Sequence, residues 1–281
     1  LRRLHCPVDA DALVLEVGSG GNPYFRANVL LDAFEETQQR HWVPLVADRP
    51  TVIGFAEYLP FRDKAFDFVI AAHVLEHSAD PDRFLGELQR VARAGYIEVP
   101  DAFMERVNPY LDHRLEITSR SGRLIIRKKQ AWQTDPQIVE LYEYRAKAVI
   151  AGESIPRHPF SFHVRYYWEE KIDYVVENPD TNAGWTAAAT MAPGAAGMGL
   201  RQTVNRTVLH LLRKLLSQNS RNRSIDLMKL LRCPACHSER LQQRQNSSAA
   251  IECLGCNATY PVSNGIPRFS RLARTLAGES P

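Results

Sequence analysis

"ALVLEVGSGGNP" (Ala12–Pro23) sets a short, mostly apolar run, Ala12–Val17, against Gly18, Gly20, Gly21 and Pro23. A branched apolar run of that length, cut off by glycines, reads as a buried β-strand feeding a tight turn rather than as a helix. The pattern then repeats. "NVLLDA" (28–33) reads as a second strand, "PLVADRP" (44–50) as a short third and "AFDFVIAAHV" (65–74) as a strong fourth. "DPDRFLGELQRVARA" (80–94) reads as a helix with Asp80 as N-cap and Pro81 in its first turn, and with Phe84, Leu85, Leu88 and Val91 on one face. "GYIEVP" (95–100) is the next strand, stopped by proline. Strands alternating with amphipathic segments over Leu13–Pro100 predict an α/β fold built on a parallel sheet.

A Gly-x-Gly after a first strand often opens a helix whose N-terminus receives a phosphate. Here too few residues separate Pro23 from the second strand for a normal helix, which argues against a phosphate site.

After Pro100 the alternation loosens. "RLEITSRSGRLIIRKK" (114–129) reads as a β-hairpin turning at Ser121-Gly122, "DPQIVELYEYRAKAVIAG" (135–152) as a helix and "SFHVRYYWEEKIDYVVENP" (161–179) as strand. Residues 180–199, rich in Ala, Gly, Thr and Pro, read as a linker. A basic amphipathic segment follows, "VNRTVLHLLRKLLSQNSRNR" (204–223), and then a cysteine-bearing domain. The division expected is 1–179, 180–225 and 226–281.

The 281 residues are 44% hydrophobic and 24% charged with a net charge of +3, an ordinary globular balance too mild to announce nucleic acid. No apolar run approaches the roughly 18 residues of a membrane-spanning helix. The leading "LRRLHCPVDADALVLEVG" lacks an apolar signal core, and because it begins with Leu the true start is expected upstream. Four of the five cysteines are paired in motifs and Cys6 is alone, which suits a reducing, cytoplasmic setting with a metal site.

Those four are Cys233-x-x-Cys236 and Cys253-x-x-Cys256, sixteen residues apart, inside the spacing of four-cysteine zinc ribbons. Each knuckle supplies one edge of a tetrahedron, and a segment of about fifty residues needs such a metal to fold. With every position filled by thiolate the ion is expected to be structural. Disulfide pairing and a rubredoxin-like iron site are the rivals, and a redox Cys-x-x-Cys lacks its usual βαβ context.

"VLEVGSGGNP", "VLLDAF", "FAEYLPFRDKAFDFVIAAHVLEH" and "YIEVP", in this order and spacing over roughly 8–100, resemble the motifs of class I S-adenosylmethionine-dependent methyltransferases of type 11. The resemblance implies a Rossmann-like sheet and S-adenosylmethionine as cofactor. It implies that Glu16, Gly18, Ser19 and Gly20 line the methionine end, that Asp32 holds the ribose, and that Ala56 and Glu57 lie near the adenine. It places His73 beside the transferable methyl. Two departures stand out: the first helix is curtailed, and Phe55 occupies a position commonly Asp in the family.

"HVLEH" supplies His73, Glu76 and His77 after the fourth strand. His73 is the candidate general base, with a shape or hydrogen-bonding role as its rival; Glu76 and His77 are expected to cap the turn. His113, His158 and His163 fall in the region expected to build an acceptor pocket, each by itself a structural histidine more often than a base.

"DLMKLLRCPACHSERL" and "IECLGCNATYPVSNGIPRF", over roughly 226–269, resemble the zinc-ribbon activator that partners tRNA, rRNA and release-factor methyltransferases. That likeness implies a ribbon docked on the methyltransferase sheet, here within one chain, and an RNA or translation-factor acceptor. Segment 201–232 carries eight Lys/Arg against Asp226 and would suit phosphates. Its leucines, Leu209, Leu212 and Leu216, would suit docking or a membrane surface. A small-molecule, glycan or lipid acceptor fits the core equally, and a cofactor-binding regulator without turnover is the alternative from another class.

Overall fold

The computed structural model describes residues 4–40, 42–185, 208, 211–213, 215–245 and 249–269. Most of the expected linker, 186–199, and Leu209 lie outside the described residues. The described parts of 1–70, 90–93 and 190–281 form one compact unit, and those of 71–89 and 94–189 form a second.

In the first unit β1 (Val14–Val17), β2 (Val29–Asp32) and β3 (Thr51–Ile53) pair in parallel, and every residue of the three is buried. Burial on both faces explains why these strands are apolar without alternation. The strand expected at 44–50 is instead irregular, and β3 begins only after Pro50. Pro44 and Pro50 donate no ladder hydrogen bond, and Pro50 serves only as the acceptor of the Leu30 N–H at 2.9 Å.

With β4 (Phe66–Ala72), β5 (Ala92–Pro100) and β8 (His163–Glu169), the strand order is β3-β2-β1-β4-β5-β8, and β8 runs antiparallel to β5. This is the α/β sheet expected from the alternation, and the Rossmann-like one that the resemblance implies. Helix α1 (Pro81–Val91) precedes β5 directly. Asp80 Oδ1 accepts from the Arg83 N–H at 3.0 Å, and Phe84, Leu85, Leu88 and Val91 are all buried.

In the second unit the hairpin of β6 (Leu115–Arg120) and β7 (Arg123–Lys128) turns through Ser121 (φ 50°) and Gly122 (φ 77°), with β9 (Tyr174–Val176) parallel to β7. The single strand expected over 161–179 is therefore two strands in different sheets. The chain reverses at Glu170, which adopts φ 57°, a bend that a composition rich in β-formers does not reveal. A short helix, α2 (Ala102–Val107), is capped by Asp101, whose carboxylate accepts from the Phe103 N–H. The helix expected at 135–152 runs from Pro136 to Arg157 and widens into π-turns at Tyr142–Ala146 and Ile150–Ser154.

The cysteine segment folds as a four-stranded antiparallel sheet of β10 (Leu241–Gln245), β11 (Ala249–Cys253), β12 (Thr259–Ser263) and β13 (Ile266–Pro267). Asn264 (φ 52°) and Gly265 (φ 77°) make the two-residue turn between β12 and β13. Both ends of this sheet are tied to the rest of the first unit. At the lead-in, Phe61 bridges Leu231, the Arg62 N–H donates to Leu230 O at 2.9 Å and Arg232 N–H to Pro60 O at 3.0 Å. At the exit, Arg268 bridges Ile53 and the Phe269 N–H donates to Ile53 O at 2.7 Å, so the chain adds itself to the free edge of β3. Phe269, 1% exposed, seals that edge against Tyr260.

Among the described residues, polar groups hold the segment before the ribbon to the rest of the unit. Arg49 Nη2 donates to Ser217 Oγ, Asn28 Nδ2 to Asn222 Oδ1, and Arg221 to the carbonyls of Ala10, Asp11 and Ala12. Leu216 is exposed and Leu212 half-buried.

Candidate functional site

Leaving β1, the chain turns sharply at Gly18 (φ 69°) and Gly20 (φ 56°), conformations that a side chain strains. Both N–H groups at the turn's start, those of Gly18 and Ser19, donate to Leu31 O at the end of β2. Gly20 N–H then donates to Asp32 Oδ2 at 2.9 Å, binding the loop to the last residue of β2. Buried Glu16 accepts from the Tyr24 N–H at 2.7 Å and so fixes the far side of the loop. Ser19 Oγ is buried and has no hydrogen-bond partner. An orphaned buried hydroxyl is the kind of group a small polar ligand satisfies.

Asp32 is nearly buried and already engaged: Oδ1 accepts from Phe34 N–H at 3.1 Å and from Arg40 Nη1 at 2.7 Å. A Cβ on Gly20 would lie 2.9 Å from Arg40 Cδ, and one on Gly21 would lie 2.4 Å from Val43 Cγ1. The glycines thus admit the protein's own Arg40, Val43 and Pro44 as well as the room expected for a cofactor. Ala56 and Glu57 form a single 3-10 turn after β3. Phe55 meets Phe34 edge to face at 5.7 Å between ring centroids. Phe34 lies in the quoted "VLLDAF", but its part in an apolar wall shows only when β2 and β3 end side by side.

In the second unit, His73 follows β4 at φ 59°, a left-handed backbone uncommon for any residue but glycine, held by its N–H donating to Glu98 O at 2.7 Å. Its ring sits between two carboxylates, with Nδ1 3.5 Å from Glu76 Oε1 and Nε2 3.4 Å from Glu98 Oε1, and its side chain is 45% exposed. Desolvation alone would lower the His73 pKa, but the two carboxylates reverse this and raise it to about 9. Burial would push Glu98 up; hydrogen bonds from His73 and Tyr96 bring it down to about 2. The pair is therefore an imidazolium and a carboxylate at neutral pH, so His73 is a donor there, and serves as a base only after surrendering a proton. Arg165 donates to Tyr96 Oη at 2.9 Å and lies 3.8 Å from Glu98, and His163 packs edge-on to His73.

Glu76 and His77 occupy a 3-10 turn tied to the β6 lead-in by Arg114 N–H donating to Glu76 O at 2.7 Å. Burial, then the charge of His113, holds His77 below its ordinary pKa despite nearby carboxylates. His158 is exposed, which leaves it outside this cluster.

In the ribbon, Cys233 Sγ lies 3.7 Å from Cys256 Sγ, and Cys236 Sγ lies 3.5 Å from Cys253 Sγ. Four thiolates 2.3 Å from a tetrahedral zinc would stand about 3.8 Å apart, so the cluster fits that ion. The two knuckles repeat one geometry. His237 (φ 62°) and Asn257 (φ 63°) follow the second cysteine of each, and their N–H groups donate to Cys233 O and Cys253 O. Gly255 N–H points at Cys253 Sγ, 3.3 Å away. Cys6 stands apart, and burial raises its thiol to about 11.

Residues 15–97 match the methyltransferase domain family. The matched stretch takes in the glycine loop and strands β2, β3 and β4. Ubiquinone/menaquinone biosynthesis C-methyltransferases UbiE from three strains of Xylella fastidiosa are 33% identical over 109 residues. The match covers 37% of this chain and 37% of theirs, so the chain spans little more than a third of these relatives' length. Among solved structures, a Thermotoga maritima S-adenosylmethionine-dependent methyltransferase, described as a possible histamine N-methyltransferase, is 20% identical with a TM-score of 0.27. It covers 32% of this chain and 45% of that one. A Haloferax volcanii complex of the Trm112 methyltransferase activator with a putative methyltransferase is 18% identical with a TM-score of 0.29, over 50% of this chain and 79% of that one. No helix among the described residues is long and apolar enough to cross a membrane.

Proposed function

We propose that this chain is an S-adenosylmethionine-dependent methyltransferase whose C-terminal zinc ribbon is a built-in partner domain, with the division 1–179, 180–225 and 226–281. The observation that carries the reading is the Gly18–Gly20 loop within the matched domain: left-handed glycines, an orphaned Ser19 hydroxyl, and an acidic residue closing the next strand.

S-adenosylmethionine, when bound, supplies a methyl already activated by a sulfonium, so the protein's task is chiefly alignment and exclusion of water. In this reading Gly18 and Gly20 let the backbone approach the methionine portion, Ser19 Oγ hydrogen-bonds it and Glu16 keeps the loop in shape. Asp32 Oδ2, which accepts from Gly20 N–H, retains capacity for a ribose hydroxyl. Phe34 and Phe55 provide an apolar wall toward adenine beside Ala56 and Glu57, in place of an acidic contact. His73, protonated between Glu76 and Glu98, acts as an oriented hydrogen-bond donor rather than as the resting base.

Zinc held by Cys233, Cys236, Cys253 and Cys256 would fold the ribbon and supply no chemistry, since no ligand position is left open. The hydrogen bonds at Leu230–Arg232 and Phe269 support the ribbon as a fixture of the sheet. The acceptor is RNA or a translation factor on the ribbon's likeness, or a small-molecule, glycan or lipid hydroxyl, amine or carbon on the core's. Arg213, Arg221 and Arg232 do not favour RNA, because they contact Asn22, Ala10 and Asp63 within the chain.

Calorimetry with S-adenosylmethionine tests the cofactor assignment. Gly18→Val should abolish binding, because a branched side chain is strained at φ 69° and fills the loop. Binding at wild-type affinity in that variant would sink the assignment. Turnover of labelled cofactor with cell fractions, before and after RNase, then separates RNA from the other acceptors and an enzyme from a regulator.

A further inference from the structure

We propose that Glu76, His77 and His113 form a second metal site, for a divalent transition cation such as Mn²⁺, Fe²⁺ or Zn²⁺, separate from the cysteine cluster. One ligand atom from each of the three lies within 4.8 Å of the others, and the second unit alone supplies all of them. Two imidazoles and one carboxylate make a donor set of the kind that holds such cations.

The carboxylate is the telling member. Glu76 is 2% exposed and neither of its oxygens accepts a hydrogen bond. A buried carboxylate met only by one imidazole at 3.5 Å from a single oxygen keeps its other oxygen open to a cation. His73 Nδ1 approaches one oxygen at 3.5 Å, but its ring is also shared with Glu98, which keeps a carboxylate for His73 when Glu76 turns to a cation.

Both histidines are oriented from behind. His113 Nδ1 lies 2.7 Å from Glu105 Oε2, and Glu105 is itself fixed by Lys129 Nζ at 2.7 Å. His77 Nδ1 lies 3.2 Å from the Asp112 carbonyl. With each Nδ1–H donated to an oxygen, each Nε2 carries the free lone pair. A carboxylate or carbonyl behind a histidine is how proteins set the tautomer of metal ligands. The frame is also braced: the rings meet edge to face at 4.7 Å, Tyr110 stacks on His113 at 4.7 Å, and the Arg114–Glu76 backbone bond joins the two segments.

The test uses the full-length protein with its ribbon metal in place. After dialysis against micromolar Mn²⁺ and removal of the unbound ion, total metal is counted by mass spectrometry. Wild type should hold two equivalents per chain; Glu76→Gln and His113→Ala should each hold one, with near-UV circular dichroism unchanged. Pulsed EPR of the Mn²⁺-loaded wild type gives a reading that needs no variant, and should show modulation from two imidazole nitrogens. Mn²⁺ is too hard an ion to displace zinc from four thiolates, so the two sites are counted separately. One equivalent in wild type, two in both variants, or no imidazole modulation overturns the site. Failure of the cofactor assignment would appear in the calorimetry and leave the metal count unmoved.

Discussion

The two ligand clusters are built in opposite ways. The ribbon's four thiols come from two repeated knuckles, each fixed by its own backbone, and the fold around them has little else inside. Glu76, His77 and His113 come from a turn and a strand lead-in 36 positions apart, within a unit whose core of Leu115, Ile117, Leu124, Ile126 and Trp168 stands without them. On the proposed reading, a metal would make the structure in the first cluster, and in the second the structure would make a place for the metal. Removing a ligand should therefore destroy one region and merely empty the other.

The largest effect follows for the cysteines. Metal binding worth roughly 10–16 kcal/mol in zinc-finger peptides is lost or crippled when Cys236 becomes Ser. We expect the ribbon to unfold, freeing the β3 edge and exposing Phe269. Limited proteolysis should then cut first within 226–269 and leave the sheet protected. Equal protease resistance of Cys236→Ser and wild type would break the comparison on the ribbon side.

Next comes Glu105, which is buried and bound to both Lys129 and His113. Glu105→Gln leaves Lys129 uncompensated, and removal of one partner from a buried ion pair costs about 3–5 kcal/mol. Glu76→Gln should behave differently in metal-free protein, because its one charged partner, His73, keeps the Glu98 carboxylate. We expect a change within about 1 kcal/mol by urea denaturation, with either sign. A loss as large as that of Glu105→Gln would mean that Glu76 serves the fold through His73.

What the sequence disclosed follows the same division. Local motifs were legible: the strand–glycine turn, the Asp80 cap, the Ser121-Gly122 hairpin and the cysteine knuckles each announce themselves within a few residues. Pairing between distant segments was not. The β3 start after Pro50 depends on where the Leu30 N–H finds an acceptor. The reversal at Glu170 shows only through the two sheets it separates. In the sequence His113 is one histidine among several, and nothing near it in the chain names Glu76 or Glu105 as neighbours. Asp32 was legible as the end of β2, whereas its ion pair with Arg40 depends on how segment 35–46 folds back. The leucines of 204–223 suggest docking or a membrane surface, whereas the contacts of Arg213, Gln218 and Arg221 with loop carbonyls such as those of Ala10 and Ala12 have no signal in the sequence.

The smallest effect expected is at Cys6, the cysteine that belongs to neither cluster. Burial raises its thiol to about 11, with Arg26 nearby only partly opposing the shift. At pH 8 the thiolate fraction is then about 0.1%, against roughly a quarter for an ordinary thiol of pKa 8.5. Alkylation of Cys6 in the folded protein should run slower than that of a free thiol by a factor on the order of 10². A chelator that releases the ribbon metal should expose four fast-reacting thiols and leave this fifth one slow. Cys6→Ala should shift stability by no more than about 1 kcal/mol, since the side chain is only partly buried and ligates nothing. If Cys6 instead labels as fast as the released ribbon thiols, the segment carrying it is not packed beside Arg26. The four-plus-one division of the cysteines would then have to rest on spacing alone.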